Sequence, residues 1–166
     1  MTTVYRELSE RIRGEVPDLD RLIGRVLRAW EGAQRSTDQQ DVYLDSVALN
    51  LHGFYSGVER LFELIARHID RDRELATGES WHQDLLQRMK KDIQETRPAL
   101  ISDESASALD ELRRFRHLMR NIYTFNLIPE KIEPLVSSLP ALWSRLRAEL
   151  LAFADFLEDV AEASET

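Results

Sequence analysis

The residues of this chain that could act on a phosphate group lie together in one short stretch. The 166-residue sequence is acidic, with 30 Asp and Glu against 22 Lys and Arg and a net charge of −8. Residues 113–120 nevertheless contain no carboxylate. The cationic and titratable residues of this stretch are Arg113, Arg114, Arg116, His117 and Arg120. A guanidinium group binds phosphate oxygens in a planar two-point contact, and an imidazole can take up a proton near neutral pH. This stretch is therefore the first candidate for a functional site.

A helix through this stretch would have two neighbouring faces, because successive residues are 100° apart around a helix. The apolar face contains Leu109, Leu112, Phe115, Met119 and Ile122. The polar face contains Arg113, Arg116, His117, Arg120, Asn121 and Tyr123. We expect the polar face to be partly buried where it borders the apolar one, and a protein keeps buried charges for a reason. The alternative is a solvated basic face whose arginines pair with Asp110 and Glu111.

The composition indicates an all-α protein with one domain over residues 1–166. Hydrophobic residues make up 43% of the chain, and Gly (6) and Pro (5) are scarce. There is no cysteine, which excludes a disulfide framework and a thiolate site. Neither a signal peptide nor a membrane-spanning apolar run is present, so we expect a cytoplasmic protein that does not bind membranes. The acidic charge argues against nucleic-acid binding by the whole surface, although it allows a local basic site.

Apolar residues at three- and four-residue spacing predict an up-down bundle of about five main helices. We expect N-terminal helices within residues 3–33, with a first helix ending at Gly14 and Pro17 in the first turn of the next. A long amphipathic helix follows over residues 41–70. Its Gly53 and Gly57 are four residues apart, so we expect another helix to cross closely there.

The second half of the chain predicts three further helices. One contains Trp81 and Ile93 and closes at residues 96–98, and the basic helix follows a cap at Ser102 and ends near Asn126. The last helix covers residues 129–161 with a break near Pro140, because proline cannot continue the backbone hydrogen bonding. We expect the acidic tail, residues 159–166, to fray.

Patterns for other kinds of site are weak. Glu79-x-x-His82 is the one Glu-x-x-His pair in the sequence, whereas a two-metal bundle needs two such pairs and further glutamates. His82 is better interpreted as a contact at the start of a helix, beside Trp81. No HExxH, Walker A or G-x-G-x-x-G pattern occurs. We therefore expect neither a metal nor a cofactor.

The pattern Arg116-His117-x-x-x-Asn121-x-Tyr123, followed by a short loop and a closing helix, resembles the signature of HEPN-domain proteins, specifically HepT-like toxins. The family motif is an arginine followed by a polar residue, a histidine five positions after the arginine, and a tyrosine two positions further on. Residues 50–60 resemble the central helix of such domains. The resemblance covers residues 40–160, which would form a HEPN-like core.

This resemblance implies an all-α homodimer that is the toxin of a toxin–antitoxin pair and a metal-independent endoribonuclease. In the family, arginine and histidine from both subunits meet at the dimer interface. Here Arg116 would hold the scissile phosphate of RNA, with help from Arg120, while Arg113 and Arg114 are candidates for further phosphate contacts. The antitoxin, a minimal nucleotidyltransferase, would neutralise the toxin by attaching AMP to the motif tyrosine, Tyr123.

One position departs from the family motif. Asn121 occupies the place of the motif histidine, and an amide cannot act as a general base near neutral pH. If cleavage is retained, His117 must transfer the proton. The alternative is a non-catalytic HEPN-like dimer that binds a nucleotide or a protein partner and has lost cleavage. The sequence leaves both hypotheses open.

Overall fold

The computed structural model describes residues 2–72, 80–121 and 127–166, with the backbone alone for residues 118–121. This part of the chain forms five helices, which are α1 (Thr2–Arg35), α2 (Gln40–His68), α3 (Trp81–Met89), α4 (Asp103–Asn121) and α5 (Pro129–Ala163). Within these ranges the only β-type pairing is an isolated bridge between Ile93 and Arg97. The predicted all-α bundle of five main helices is confirmed.

Helix α1 is continuous, and the predicted division at Gly14 and Pro17 is wrong. Both residues are exposed within the helix. Proline removes one backbone hydrogen bond from a helix and strains the preceding turn. Here the apolar residues before and after it form one uninterrupted stripe in the core, namely Leu8, Ile12, Val16, Leu19, Ile23 and Val26. Burial of this whole stripe against α2 and α5 outweighs the local cost.

The predicted close crossing on α2 is confirmed, with α1 as its partner. A Cβ atom added at Gly57 would lie 2.9 Å from Cδ2 of Leu19. At Gly53 the nearest neighbour is Leu22, at 3.6 Å. The two glycines therefore let the leucines of α1 contact the backbone of α2.

Helix α3 is shorter than predicted, because it ends at Met89 and Ile93 lies beyond it. The segment after α3 is held by Arg97, whose Nε and Nη2 donate to Asp70 at 2.6 and 2.9 Å. Both side chains are fully buried. Arg88 donates to the same carboxylate at 2.7 Å. This ion-pair network attaches the segment to the end of α2.

Helix α4 begins at Asp103, as predicted from the capping residue Ser102. The backbone N–H of Ser105 donates to Oγ of Ser102 at 3.2 Å. Leu109 and Leu112 are buried in the core, and Phe115 packs against it. The predicted end near Asn126 lies outside the described residues.

Helix α5 is continuous through Pro140, so the predicted break is wrong. Pro140 is exposed, while Leu139, Leu142 and Trp143 beside it are buried. The helix extends to Ala163, and the fraying expected over residues 159–166 stays a prediction. Glu158 pairs with Arg13 at 2.5 Å, which helps to hold this end against α1.

Candidate functional site

Two of the candidate arginines make local ion pairs on α4. Nε of Arg113 lies 2.7 Å from Asp110, and Arg114 lies 3.1 Å from Asp110 and 3.5 Å from Glu111. These are the pairings that the alternative interpretation expected, at spacings of three and four residues. Arg114 is exposed, whereas Arg113 is partly buried. Arg114 therefore lies on a solvated basic face, as the alternative interpretation expected.

Arg116 differs from them because it faces the interior of the bundle. Its side chain is 19% exposed, and Nη1 donates to Oε1 of Glu59 on α2 at 3.1 Å. The guanidinium carbon lies 5.9 Å from the ring centre of Tyr55, one helical turn before Glu59. An ion pair and a cation–π contact thus hold this arginine. The predicted partial burial of the polar face is confirmed at Arg113 and Arg116.

The carboxylate of Glu59 also binds His82, which sequence analysis had placed only beside Trp81. Oε2 of Glu59 lies 2.6 Å from Nδ1 of His82. The Glu59 side chain is 10% exposed, and that of His82 is 21% exposed. The contact with Trp81 is also present, with ring centres 4.0 Å apart. One carboxylate from α2 therefore joins an imidazole from α3 to a guanidinium from α4. We call Tyr55, Glu59, His82 and Arg116 the Glu59 cluster.

Polar atoms without partners lie in the cluster and beside it. Nε of Arg116 is buried and makes no hydrogen bond within the described residues, and the same holds for Oγ of Ser56, the residue after Tyr55. Burial raises the pKa of Tyr55, and the negative charge of Glu59 raises it further. Tyr55 is therefore a neutral phenol at physiological pH. A buried polar atom without a partner costs free energy, so this cluster is not optimised for stability alone.

The structure describes only some of the remaining predicted site residues. His117 follows Arg116 on α4 and is exposed, so the two neighbours do not share one environment. The backbone of Arg120 and Asn121 is helical, but their side chains lie outside the description. Tyr123 lies outside the described residues.

Sequence analysis missed Glu59 because it is one of 30 acidic residues. A usable signal existed, since Glu59 lies four residues after Tyr55 and three before Phe62, on the buried face of α2. An acid on an apolar face needs a partner. Its partners, His82 and Arg116, are separated from it by 23 and 57 residues, and sequence spacing does not predict such contacts.

The described residues were also compared with the requirements of a metal site and of a membrane-spanning helix. Among residues 2–72, 80–117 and 127–166, no three His, Asp or Glu side chains lie close enough together to hold a metal ion. Within the same part of the chain, no helix is long and apolar enough to cross a membrane.

Comparison with known proteins agrees with the resemblance seen in the motif. Searches of curated proteins and of solved structures gave no significant match. The protein family described as HepT-like protein matches residues 46–157, which include α3, α4 and most of α2 and α5. The matched region contains the whole Glu59 cluster and the motif on α4. Since this match covers more than half of the chain, the protein belongs to the HepT-like family of the HEPN superfamily.

Proposed function

We propose that this protein is the toxin of a cytoplasmic toxin–antitoxin pair and a metal-independent endoribonuclease that acts as a homodimer. The observation that carries this proposal is the placement of Arg116 and His117 on α4 of a HepT-like chain. Arg116 is held at the border of the core, and His117 is exposed beside it. A positioned guanidinium with an adjacent imidazole is suited to phosphate chemistry.

The chemistry assigned to these residues is cleavage at a 2′-hydroxyl. The guanidinium of Arg116 stabilises the charge that develops on the phosphate oxygens, with Arg120 as a second cation. Nη1 of Arg116 is used by Glu59 and Nε is buried, so Nη2 is the nitrogen that would donate to a phosphate. His117 would transfer the proton, because Asn121 cannot. Arg113 and Arg114 would extend the basic surface along the RNA backbone.

The test is cleavage of tRNA and mRNA by the purified protein in the presence of EDTA. We expect Arg116→Ala and His117→Ala each to lower the rate by about 100-fold or more. Arg11→Ala is the matched control, because Arg11 is an exposed arginine of α1 that pairs with Glu15 one turn away on the same helix. Equal cleavage by the natural sequence and both site variants would refute the assignment of these residues.

The homodimer and its shared site can be tested by complementation. If each site takes Arg116 from one subunit and His117 from the other, mixing the two inactive variants should restore part of the activity. Sedimentation measurements on the same samples would establish the oligomeric state. A monomer that still cleaves RNA would refute the shared site.

The antitoxin is proposed to be a minimal nucleotidyltransferase that modifies Tyr123. Intact-mass measurement after incubation with such an enzyme and ATP should show added AMP units on the natural sequence and none on Tyr123→Phe. Tyr5→Phe is the control, since Tyr5 lies on α1. Modification of both variants would place the target residue elsewhere.

A second candidate function is a non-catalytic dimer that binds a nucleotide or a protein partner. Two observations favour it, namely the ion pair that neutralises Arg116 and the asparagine at the motif histidine position. In that case the natural sequence would not cleave RNA at any enzyme concentration. It would form a tight complex with the nucleotidyltransferase without being modified.

A further inference from the structure

The proposed ribonuclease needs a proton acceptor, and the motif position that should supply one contains Asn121. A second imidazole besides His117 is available in the fold. His82 on α3 contacts Glu59, the carboxylate that also contacts Arg116. One oxygen of this carboxylate therefore contacts a histidine, and the other contacts the arginine assigned to the phosphate.

The hydrogen bond to Glu59 determines which nitrogen of His82 can accept a proton. An ionised carboxylate only accepts hydrogen bonds, so Nδ1 of His82, at 2.6 Å from Oε2, carries the hydrogen. The neutral ring then has its lone pair on Nε2. Within the described residues, Nε2 makes no hydrogen bond. His82 thus presents the tautomer that a general base requires.

The imidazole is also held in a fixed orientation. Glu59 is buried, and its second oxygen is tied to Arg116. The ring of Trp81 also lies against the imidazole of His82, with the two planes inclined by 33°. A carboxylate that orients an imidazole and stabilises its charged form is the arrangement that makes histidine an effective base.

We propose that His82 is the general base of this protein and that Glu59 is its positioning residue. This inference rests on the proposed ribonuclease function. Nε2 of His82 takes the proton of a ribose 2′-hydroxyl as the 2′-oxygen attacks phosphorus. The bond from phosphorus to the 5′-oxygen breaks, and the leaving oxygen takes a proton from His117, which recovers it from the solvent. The products are a 2′,3′-cyclic phosphate and a 5′-hydroxyl, and the imidazolium returns its proton to the solvent.

A purely structural role for His82 would give a different result. In that case His82 only neutralises Glu59, and its removal affects stability without a specific effect on the proton-transfer step. Restoration of the rate by free imidazole separates the two roles, because added imidazole can replace a missing base but cannot repair a loosened fold.

The experiment measures metal-free RNA cleavage by four proteins, which are the natural sequence and its His82→Ala, His117→Ala and His68→Ala variants. We expect His82→Ala to lower the rate by about 100-fold or more, and free imidazole to restore a measurable part of it. His68→Ala is the matched control, since His68 is an exposed histidine at the end of α2, and its rate should be unchanged. Circular dichroism would establish that each variant is folded.

The outcomes separate this inference from the proposed function. Full activity of His82→Ala together with loss in His117→Ala overturns the role of His82 and leaves the ribonuclease intact. Absence of cleavage by the natural sequence overturns both. If His82→Ala does not fold, His82→Gln replaces it, because an amide can still donate to Glu59 but cannot accept the proton. An active His82→Gln protein would also overturn the inference.

Discussion

The substitution Glu59→Gln tests whether the Glu59 cluster stabilises the bundle through its charge. Glutamine has nearly the same shape, but it leaves the charge of Arg116 without compensation. Removing one partner of a buried ion pair costs about 3–5 kcal/mol. The two side chains are 10% and 19% exposed, so water screens the remaining charge to some extent. We therefore expect a loss of about 2–3 kcal/mol in the free energy of unfolding.

The measurement is urea and thermal unfolding followed by far-ultraviolet circular dichroism. For a chain of this size the expected loss corresponds to a melting temperature lower by about 4–12 °C. Glu63→Gln is the matched control, because Glu63 lies one turn further along α2 and pairs with the exposed Arg67 at 3.2 Å. Loss of that surface pair should cost about 0.5 kcal/mol or less.

A double variant tests the reasoning more directly. Glu59→Gln combined with Arg116→Gln removes both charges, so it should recover part of the stability lost in Glu59→Gln alone. The reasoning is refuted if Glu59→Gln costs no more than Glu63→Gln. It is also refuted if the effects of the two cluster substitutions simply add, because additive effects would mean that the two charges do not interact.

Four further substitutions test stability. Tyr55→Phe removes a buried hydroxyl beside Glu59, and its effect is measured by urea unfolding as a function of pH. Because the pKa of Tyr55 is raised above 10.0, the natural protein should lose stability as the pH rises above 10, and this loss should be smaller in the variant. Gly14→Ala, with nothing within 4 Å of an added Cβ, should stabilise by about 0.5–1 kcal/mol. Gly32→Ala should destabilise the protein by about 1–3 kcal/mol, because the added Cβ would lie 2.5 Å from the ring of Tyr43. Equal melting temperatures for Gly14→Ala and Gly32→Ala would contradict these two predictions. Pro140→Ala should raise the melting temperature, since an exposed position of a continuous helix regains a backbone hydrogen bond. A lower melting temperature would mean that the proline ring itself stabilises the protein.

Features set by neighbouring residues of one helix could be predicted from the sequence. The cap at Ser102 and the apolar face containing Leu109 and Leu112 depend on spacings of three or four residues. The close crossing at Gly53 and Gly57 was predictable for the same reason, because both residues lie on one face of α2. The identity of the crossing helix was not predictable, since it depends on the packing of the whole bundle.

The helix ends were predicted less well because proline and glycine have only local effects. Pro17 and Pro140 each remove one hydrogen bond, which favours a helix end. In the folded protein, apolar residues before and after each proline lie in the same core, so ending the helix there would expose them. Tertiary burial therefore determines where α1 and α5 end.

Only those residues of the candidate site that lie on α4 were predicted from the sequence. The sequence identified Arg116, and the place of Glu59 on the apolar face of α2 indicated that this acid needs a partner. Sequence spacing did not predict that its partners are Arg116 and His82. This arrangement changes the expected properties of Arg116. Glu59 lowers the net charge available to attract RNA, and it also fixes the guanidinium before the substrate arrives.

A binding site gains little from such an arrangement, because RNA affinity depends mainly on net positive charge. A catalytic site gains more, because a donor that is already oriented needs no reorganisation when charge develops on the phosphate. The proposed ribonuclease function therefore accounts for the Glu59 cluster better than simple RNA binding would.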